Sequence, residues 1–303
     1  MEKYGIDVSK NNAIKDWNFV KKNGFTFTII KIIEKDGNKD PKFDIHISGA
    51  EKARIDIYGV YNYSYATNTV QALQDASCVI KALNGRKTMV WLDVEDKCQK
   101  NLKDKLIDII EAYKDAIEKS GNGFGIYTGE SFYKAYLKPY YIRLKNIPMW
   151  IARYGKDNGM KEVKYQPQIT DMKIWQYSSK GKVNGVSGAV DVNVCYDDKF
   201  LDRIGAQFIP ASPTLIQQAN PYPEPKRILK YKKPYMSGQD VMWVQFILVQ
   251  KGFMASRDEK GNTNIDGIYG EGTATAVRAF QKSMNINADS VVGQQTRAFL
   301  KKV

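Results

Sequence analysis

Short apolar runs alternate with helical patterns along the first two thirds of this 303-residue chain. The apolar runs cover residues 4–9, 27–33, 57–63, 88–94, 124–127, 149–152, 173–177 and 189–193, and the helical patterns cover residues 14–22, 43–54, 70–83 and 102–119. This alternation is typical of a parallel sheet, and eight strands favour closure into a barrel. Because the connections after residue 127 are short for regular helices, we expect an irregular, TIM-like β/α barrel of the α/β class with partly antiparallel later strands.

Four acidic residues stand where predicted strands begin or end. Asp93 and Glu95 lie two residues apart at the end of the run at 88–94. Strand side chains alternate between faces, so both acids point the same way, roughly 6–7 Å apart. Asp7 and Asp191 have similar places in the first and last runs, and barrel enzymes draw catalytic groups from several strand ends. One acid can protonate a leaving group while another stabilises positive charge, as in glycoside hydrolysis; an acidic, solvated loop is the alternative.

Aromatic, amide and basic residues cluster at the other predicted strand ends. We assign substrate binding to Tyr61, Tyr63, Tyr127, Trp150, Arg153, Trp175 and Gln176, with Tyr154 and Tyr177 beside them. Sugar rings present flat C–H faces to aromatic rings and hydroxyl groups to amides and carboxylates. The cluster therefore predicts a saccharide-binding cleft, and burial of the rings in the barrel core is the alternative.

Six sequence blocks in order resemble the family 25 glycoside hydrolases, the muramidases called lysozymes of the Chalaropsis type. The blocks are YGIDVS at 4–9, GVYNYSYA at 59–66, VWLDVED at 90–96, GIYTG at 125–129, PMWIARYG at 148–155 and IWQYSSKGKVNGVSGAVDVN at 174–193. The resemblance covers roughly the first 200 residues and implies hydrolysis of the β-1,4 bond between N-acetylmuramic acid and N-acetylglucosamine in bacterial peptidoglycan.

The resemblance also implies roles for single residues. Glu95 would be the general acid, Asp93 would assist or orient, and Asp7 and Asp191 would line the same site. It suggests net retention with attack by the substrate's own 2-acetamido oxygen, while the residues alone leave the nucleophile and the stereochemical outcome open. One departure is Asn62, where relatives commonly carry histidine; it leaves the acids intact and affects substrate positioning on that side.

A proline-rich stretch separates two predicted domains. Six of the ten prolines lie between Pro210 and Pro234. Proline cannot continue a helix or donate a hydrogen bond within a sheet, so this segment should form an extended, semi-stiff spacer. We therefore predict a catalytic barrel at residues 1–206, a linker at 207–236 and a helical domain at 237–303.

The C-terminal segment has helical periodicity and a short internal repeat. Helices are predicted around residues 241–249, 273–280 and 296–300. Similar Asp- and Gly-containing turns at 266–270 and 289–293 each precede a threonine, Thr273 or Thr296, which we expect to cap the next helix. The pattern resembles the small three-helix peptidoglycan-binding module of wall hydrolases, apart from a longer polar insertion at 255–264. A helical bundle that binds another partner is the alternative.

The formal net charge of +13 is concentrated toward the C-terminal end. Residues 226–303 have 13 Lys and Arg against 6 Asp and Glu, whereas residues 1–225 have 33 against 27. A basic module attracts polyanions, which include nucleic acid and the anionic polymers of a cell wall. The segment has neither zinc-finger spacing nor an aromatic RNA-binding signature, so we expect a cell-wall partner and no nucleic acid.

The sequence lacks the residues that a metal or cofactor site would need. The single histidine, His46, falls in a helical pattern and is expected at the surface or in helix packing. Three scattered cysteines, Cys78, Cys98 and Cys195, suggest no disulfide framework, and with one histidine they cannot form a His-rich zinc site. We therefore expect no metal and no cofactor.

The beginning of the chain and its hydropathy predict where the protein acts. Residues 1–4 enter the first strand without a signal segment, and no stretch approaches the ~20 apolar residues of a membrane span. We expect synthesis in a host cytoplasm, no membrane insertion and action on the wall after release, as for a bacteriophage endolysin. The predicted function is a wall-tethered, bacteriolytic muramidase; a catalytically inactive wall-binding or structural protein is the alternative.

Overall fold

The computed structural model describes residues 2–204, 220–251, 253–255, 258 and 262–301. The chain forms two compact units, one N-terminal and one C-terminal, and the division between them falls outside the described residues. The barrel boundary predicted at residue 206 therefore remains a prediction. Within the described ranges, no helix is long and apolar enough to cross a membrane.

Eight strands of the first unit close into a barrel. They are β1 (Lys3–Val8), β3 (Phe25–Lys31), β4 (Asp56–Tyr63), β5 (Met89–Asp93), β6 (Gly123–Gly129), β7 (Met149–Ala152), β8 (Met172–Gly181) and β10 (Val190–Cys195), while β2 (Ala13–Ile14) and β9 (Val186–Ser187) form a separate pair. The order around the barrel is β1-β10-β8-β7-β6-β5-β4-β3. Neighbouring strands are parallel, except that β10 is antiparallel to both β1 and β8. The predicted irregular barrel with a partly antiparallel end is confirmed.

Regular helices accompany the early strands and give way to short turns later. The early helices are α1 (Trp17–Lys22), α2 (Phe43–Lys52), α3 (Thr69–Leu83) and α4 (Asp104–Lys119). Later come α5 (Glu130–Phe132), a π-turn at Tyr133–Leu137, α6 (Tyr141–Leu144) and 3-10 turns at Lys138–Tyr140, Val163–Tyr165 and Lys199–Ile204; another 3-10 turn lies at Lys97–Gln99. The first helix begins three residues later than predicted, because the Asp16 side chain caps it by accepting a hydrogen bond from the Asn18 backbone N–H.

Strand side chains alternate between a barrel interior and an outer layer beneath the helices. Phe27, Ile29, Trp91, Trp150 and Ile174 belong to the interior cluster. A Cβ atom on Gly125 would lie 2.5 Å from the Trp91 ring, so the glycine of the GIYTG block is required for this ring to fit. The aromatic rings fill the interior as a packed core, and polar groups collect at the carboxyl end of the strands.

The second unit packs three helices around its own core: α7 (Gln239–Gln250), α8 (Glu271–Ser283) and α9 (Gln294–Lys301). Residues 220–236, which were assigned to the linker, pack on these helices. Leu229 is fully buried in the helical core and pairs with Val292, and Glu224 forms an ion pair with Lys301. The linker prediction is therefore too long at its C-terminal end, and residues 207–219 lie outside the described ranges.

Two buried glutamines explain the internal repeat. The amide nitrogen of Gln245 lies within hydrogen-bond distance of Asp266 Oδ1, the Ile268 carbonyl and Thr273 Oγ1, and its oxygen accepts from the Gly267 N–H. Gln281 makes the same contacts with Asp289 Oδ1, the Val291 carbonyl, Thr296 Oγ1 and the Ser290 N–H. The predicted capping role of Thr273 is wrong, because α8 is preceded by Gly270 without a side-chain cap. The threonine instead ties the turn to a buried amide.

We expect Gln245→Leu to destabilise the helical unit by about 3 kcal/mol, because it leaves several buried polar groups without their partner. Hydrogen exchange of the α7 and α8 amides in the full chain measures the effect. Gln295→Leu, at an exposed position of α9, is the matched control and should change exchange little. Equal protection in the Gln245 and Gln295 variants would contradict this role.

Candidate active site

The four predicted acids meet at one end of the barrel. Asp7 lies near the carboxyl end of β1, Asp93 is the last residue of β5, and Glu95 follows two residues later. Asp191 stands at the beginning of β10 and pairs directly with Asp7. Because β10 is antiparallel to β1, its first residues lie at the same barrel end as the last residues of the parallel strands.

Asp93 is almost completely buried. Its side chain is 5% exposed, and its Oδ1 has no hydrogen-bond partner within the described residues. Burial raises its pKa well above the usual range, and the negative charges of Glu95 and Asp7 raise it further, while Lys31 lowers it. This environment favours the protonated form of the Asp93 carboxyl group.

Glu95 lies in a partly exposed position on the rim of the same site. Its Oε2 accepts a hydrogen bond of 3.1 Å from the backbone N–H of Gly129. Burial raises the pKa of Glu95, the Gly129 hydrogen bond opposes the rise, and the charge of Asp96 adds to it. A carboxyl group with a raised pKa and access to solvent has the properties of a general acid.

Asp7 and Asp191 form a hydrogen-bonded carboxyl pair. Burial raises the pKa of Asp7 to about 6, and hydrogen bonds from Asn193 and Gln176 oppose the rise. Burial also raises the pKa of Asp191 to about 8, with further contributions from the charges of Asp7 and Asp157. Asp7 therefore ionises first, while Asp191 keeps the shared proton near neutral pH.

Four tyrosines and a tryptophan surround these acids. Tyr63 and Tyr127 pair with Asp93 from the two neighbouring strands. The Trp150 ring lies edge-on to Tyr127 and Tyr61, with centroid distances of 4.4 and 6.1 Å. The Tyr63 hydroxyl donates to Asp96 at 3.2 Å, and its ring lies 4.8 Å from that of Tyr65.

Gln176 and Arg153 complete the same end of the barrel. Gln176 Oε1 accepts from the hydroxyl groups of Tyr127 and Tyr154 at 2.9 and 2.7 Å. The Arg153 guanidinium is partly exposed and lies 3.3 Å from the Glu130 carboxylate. Within the described ranges, no group of three or more His, Cys, Asp or Glu side chains is arranged to hold a metal ion.

Trp175 does not face this site, and its predicted substrate contact is wrong. It is 1% exposed and packs in the outer layer against Tyr177, and its indole N–H donates to the Arg153 carbonyl. The physical reason is strand alternation: Ile174 packs in the interior and Gln176 faces the acids, so the residue between them points outward.

Asn62 also points away from the acids. It is buried between Tyr61 and Tyr63, and its amide lies 3.5 Å from the Tyr113 hydroxyl of α4. The departure at this position therefore falls in the outer layer and not on the cleft. His46 is buried rather than exposed, with Nε2 3.1 Å from the Ser9 carbonyl, and it takes part in helix packing as expected.

Sequence reasoning missed Asn193 and Lys31. The Asn193 side chain is fully buried and donates to Asp7 at 2.8 Å. Lys31 ends β3, and its ammonium group lies 3.4 Å from Glu34 and influences the Asp93 pKa. Both could have been found from strand alternation, since Asn193 shares a strand face with Asp191 and Lys31 shares one with the interior residue Ile29.

Comparison with known proteins assigns the barrel to a family. Residues 6–186 match the family model described as "Glycosyl hydrolases family 25". The chain belongs to this family. It is therefore a glycoside hydrolase, in agreement with the carboxyl groups gathered at the barrel end. Residues 237–300 match a second model, described as "Putative peptidoglycan binding domain", which confirms the predicted module.

A lysozyme, an endolysin and an autolysin are similar to this family 25 glycoside hydrolase. An autolytic lysozyme from Clostridium acetobutylicum is 24% identical over 292 residues, which cover 96% of this chain and 76% of that protein. The catalytic domain of endolysin ply40 from bacteriophage P40 of Listeria monocytogenes is 25% identical with a TM-score of 0.55, over 68% of this chain and 98% of that one. The modular autolysin LytC from Streptococcus pneumoniae, solved with a synthetic peptidoglycan ligand, is 27% identical with a TM-score of 0.54, over 64% and 47%.

The Asp191 carboxyl group should make barrel stability depend on pH. Its folded-state pKa of about 8 lies above the ordinary value of 3.8, so the folded protein retains a proton that the unfolded chain releases. The resulting stabilisation is complete at low pH and is lost as pH rises from about 4 to about 8. We expect Asp191→Asn to raise the free energy of unfolding by several kcal/mol at about pH 9 and far less at about pH 4. Thermal unfolding at both pH values measures the difference, and an equal effect at the two would contradict it.

Proposed function

We propose that this glycoside hydrolase is a muramidase that cuts the β-1,4 bond between N-acetylmuramic acid and N-acetylglucosamine in bacterial peptidoglycan. The observation that carries the proposal is the arrangement of Glu95 and Asp93 beside Asp7 and Asp191, within a ring of aromatic and amide side chains. The names of the relatives, an autolytic lysozyme and an endolysin, support the same substrate.

Glu95 is proposed as the general acid and base. Its raised pKa keeps a protonated fraction available, and its partly exposed position lets it reach the glycosidic oxygen. It would donate its proton to the leaving oxygen as the C1–O bond breaks. It would then take a proton from the water that attacks C1, which restores the acid.

Asp93 is proposed to orient the substrate's 2-acetamido group. Its carboxyl group lies at the end of β5, two residues before Glu95, and a hydrogen bond from the acetamido N–H to this group would direct the acetamido oxygen toward C1. Attack by that oxygen would form a cyclic intermediate, and its hydrolysis would give net retention. Substrate assistance of this kind is a known exception to the scheme with two catalytic carboxylates.

The helical unit is proposed to hold the enzyme on its polymer. Linking a binding module to a catalytic module raises the local substrate concentration without any new contact in the active site. Its positive charge supports additional attraction to anionic wall polymers.

The site of action is proposed to be the wall of a bacterial host. The likeness to a phage endolysin supports synthesis in the host cytoplasm and access to the wall after release. Expression in a bacterial cytoplasm should then leave cells intact until the membrane is permeabilised. Lysis without permeabilisation would argue against access to the wall only after release. Lysis by protein that is added from outside would support use as an antibacterial.

Replacing the proposed acid should abolish cleavage and preserve binding. We expect Glu95→Gln to lower the rate of reducing-end release from purified peptidoglycan by about 10²-fold or more, because the amide cannot donate the required proton. Turbidity loss and reducing-end release should fall together, while sedimentation with the wall should be unchanged.

Glu118→Gln is the matched control. Glu118 lies on α4, forms an ion pair with Lys114 and is distant in sequence from the four acids. The control should retain full activity. Equal activity in Glu95→Gln and the wild type would disprove the assignment of the acid. A wild type that binds the wall and cuts nothing would instead indicate an inactive wall-binding protein.

Removing the helical unit should separate binding from chemistry. We expect a chain that stops at Ala206 to lose wall binding about tenfold or more, while it hydrolyses short soluble glycan fragments at the rate of the full chain. Sedimentation with purified peptidoglycan and product analysis of the fragments measure the two effects. Unchanged sedimentation of the shortened chain would place the wall contact in the barrel. In a separate measurement, binding of the full chain to DNA with steep salt dependence would favour the nucleic-acid alternative.

A further inference from the structure

One carboxylate of the active site is surrounded by hydrogen-bond donors. Asp7 Oδ2 accepts from the Gln176 amide at 2.9 Å and from the Asn193 amide at 2.8 Å. The neighbouring Asp191 carboxyl group shares a further hydrogen bond with Asp7. Asp93 and Glu95 have no comparable set, since Asp93 Oδ1 is unpartnered within the described residues and Glu95 accepts from one backbone N–H.

The orientation of the Asn193 amide is fixed by the chemistry of its second partner. Asn193 Oδ1 lies 2.8 Å from the indole nitrogen of Trp150, and an indole N–H can only donate. The Asn193 oxygen must therefore face Trp150, and its NH₂ group must face Asp7. Flipping this buried amide would oppose a donor to a donor and an acceptor to an acceptor.

The Gln176 amide is oriented in the same way. Its Oε1 receives the Tyr127 and Tyr154 hydroxyl groups, so its NH₂ group faces Asp7. Asp7 Oδ2 thus meets two N–H groups, neither of which can accept a proton. A proton on this oxygen would break both hydrogen bonds, whereas a negative charge strengthens both.

We propose that Asn193, held in place by Trp150, is a positioning residue that keeps Asp7 ionised and fixed in direction. This proposal rests on the function proposed above: Asp7 supplies a standing negative charge that stabilises the positive charge developing on the sugar ring, while Glu95 donates the proton. Asn193 acts through Asp7 and makes no contact with substrate. Because this charge is already fixed in place, it does not have to reorient as positive charge develops, which lowers the free energy of the transition state.

Asn193→Leu tests the proposal because it keeps the number and branching of the side-chain heavy atoms and removes the donor. We expect the Asp7 pKa to rise by about one unit or more, since a hydrogen bond to a charged group is lost. The acidic limb of the kcat profile on soluble glycan fragments should move to higher pH by the same amount. Activity at acidic pH should then fall about tenfold or more, recover toward higher pH, and show a change in kcat larger than the change in KM.

Carboxyl ¹³C NMR titration of the full chain, with the Asp7 signal assigned from Asp7→Asn, reads the ionisation of Asp7 without turnover. Failure of the proposed function is therefore distinguishable: if the wild type does not cut glycan, the titration of Asn193→Leu still decides the positioning role. An unchanged Asp7 titration, or a loss of activity equal at every pH, would overturn the proposal.

Two tryptophan variants test the same network in case Asn193→Leu does not fold. Trp150→Phe keeps a ring in the core but frees the Asn193 amide to turn, so it should shift the Asp7 titration in the same direction by a smaller amount. Trp175→Phe removes an indole N–H from a similarly buried ring that bonds the Arg153 carbonyl outside the network. It should leave the Asp7 titration in place, and equal shifts in the two variants would refute the role of the Trp150 contact.

Discussion

The antiparallel pairing of β10 with β1 is the constraint on which the active site depends. It closes the barrel and sets Asp191 opposite Asp7, with Asn193 two residues further along the same face. If β10 ran parallel to β1, Asp191 at its beginning would lie at the barrel end opposite Asp7. The break in the parallel pattern thus brings Asp191 and Asn193 to the barrel end where Asp7, Asp93, Glu95 and Gln176 lie.

Burial gives these carboxyl groups different protonation states. Desolvation raises the pKa of Asp7, Asp93, Glu95 and Asp191 alike. Their partners then shift the pKa values in different directions. N–H donors around Asp7 lower its pKa, whereas the negative charges beside Asp93 raise its pKa further. The site can therefore hold a fixed anion and a proton donor side by side, which is the combination that glycoside hydrolysis requires.

Much of this arrangement could be predicted from strand periodicity. The eight strands, the early helices and the gathering of the four acids follow from short apolar runs that alternate with helical patterns and from acids at the ends of those runs. Trp175 and Asn62 could not be assigned to the correct face from composition alone, because each lies beside residues that do face the site and only the register separates them. The role of Thr273 was missed because its partner, Gln245, is distant in sequence and becomes a neighbour only after α7 and α8 pack.

Product analysis of digested peptidoglycan tests the central claim most directly. Purified wall is digested to completion by the full chain, the new reducing ends are converted to sugar alcohols with borohydride, and the fragments are identified by mass spectrometry. A muramidase leaves N-acetylmuramic acid at each new reducing end, so the account predicts fragments that end in N-acetylmuramitol. Fragments that end in N-acetylglucosaminitol, or the release of peptides from intact glycan strands, would contradict it.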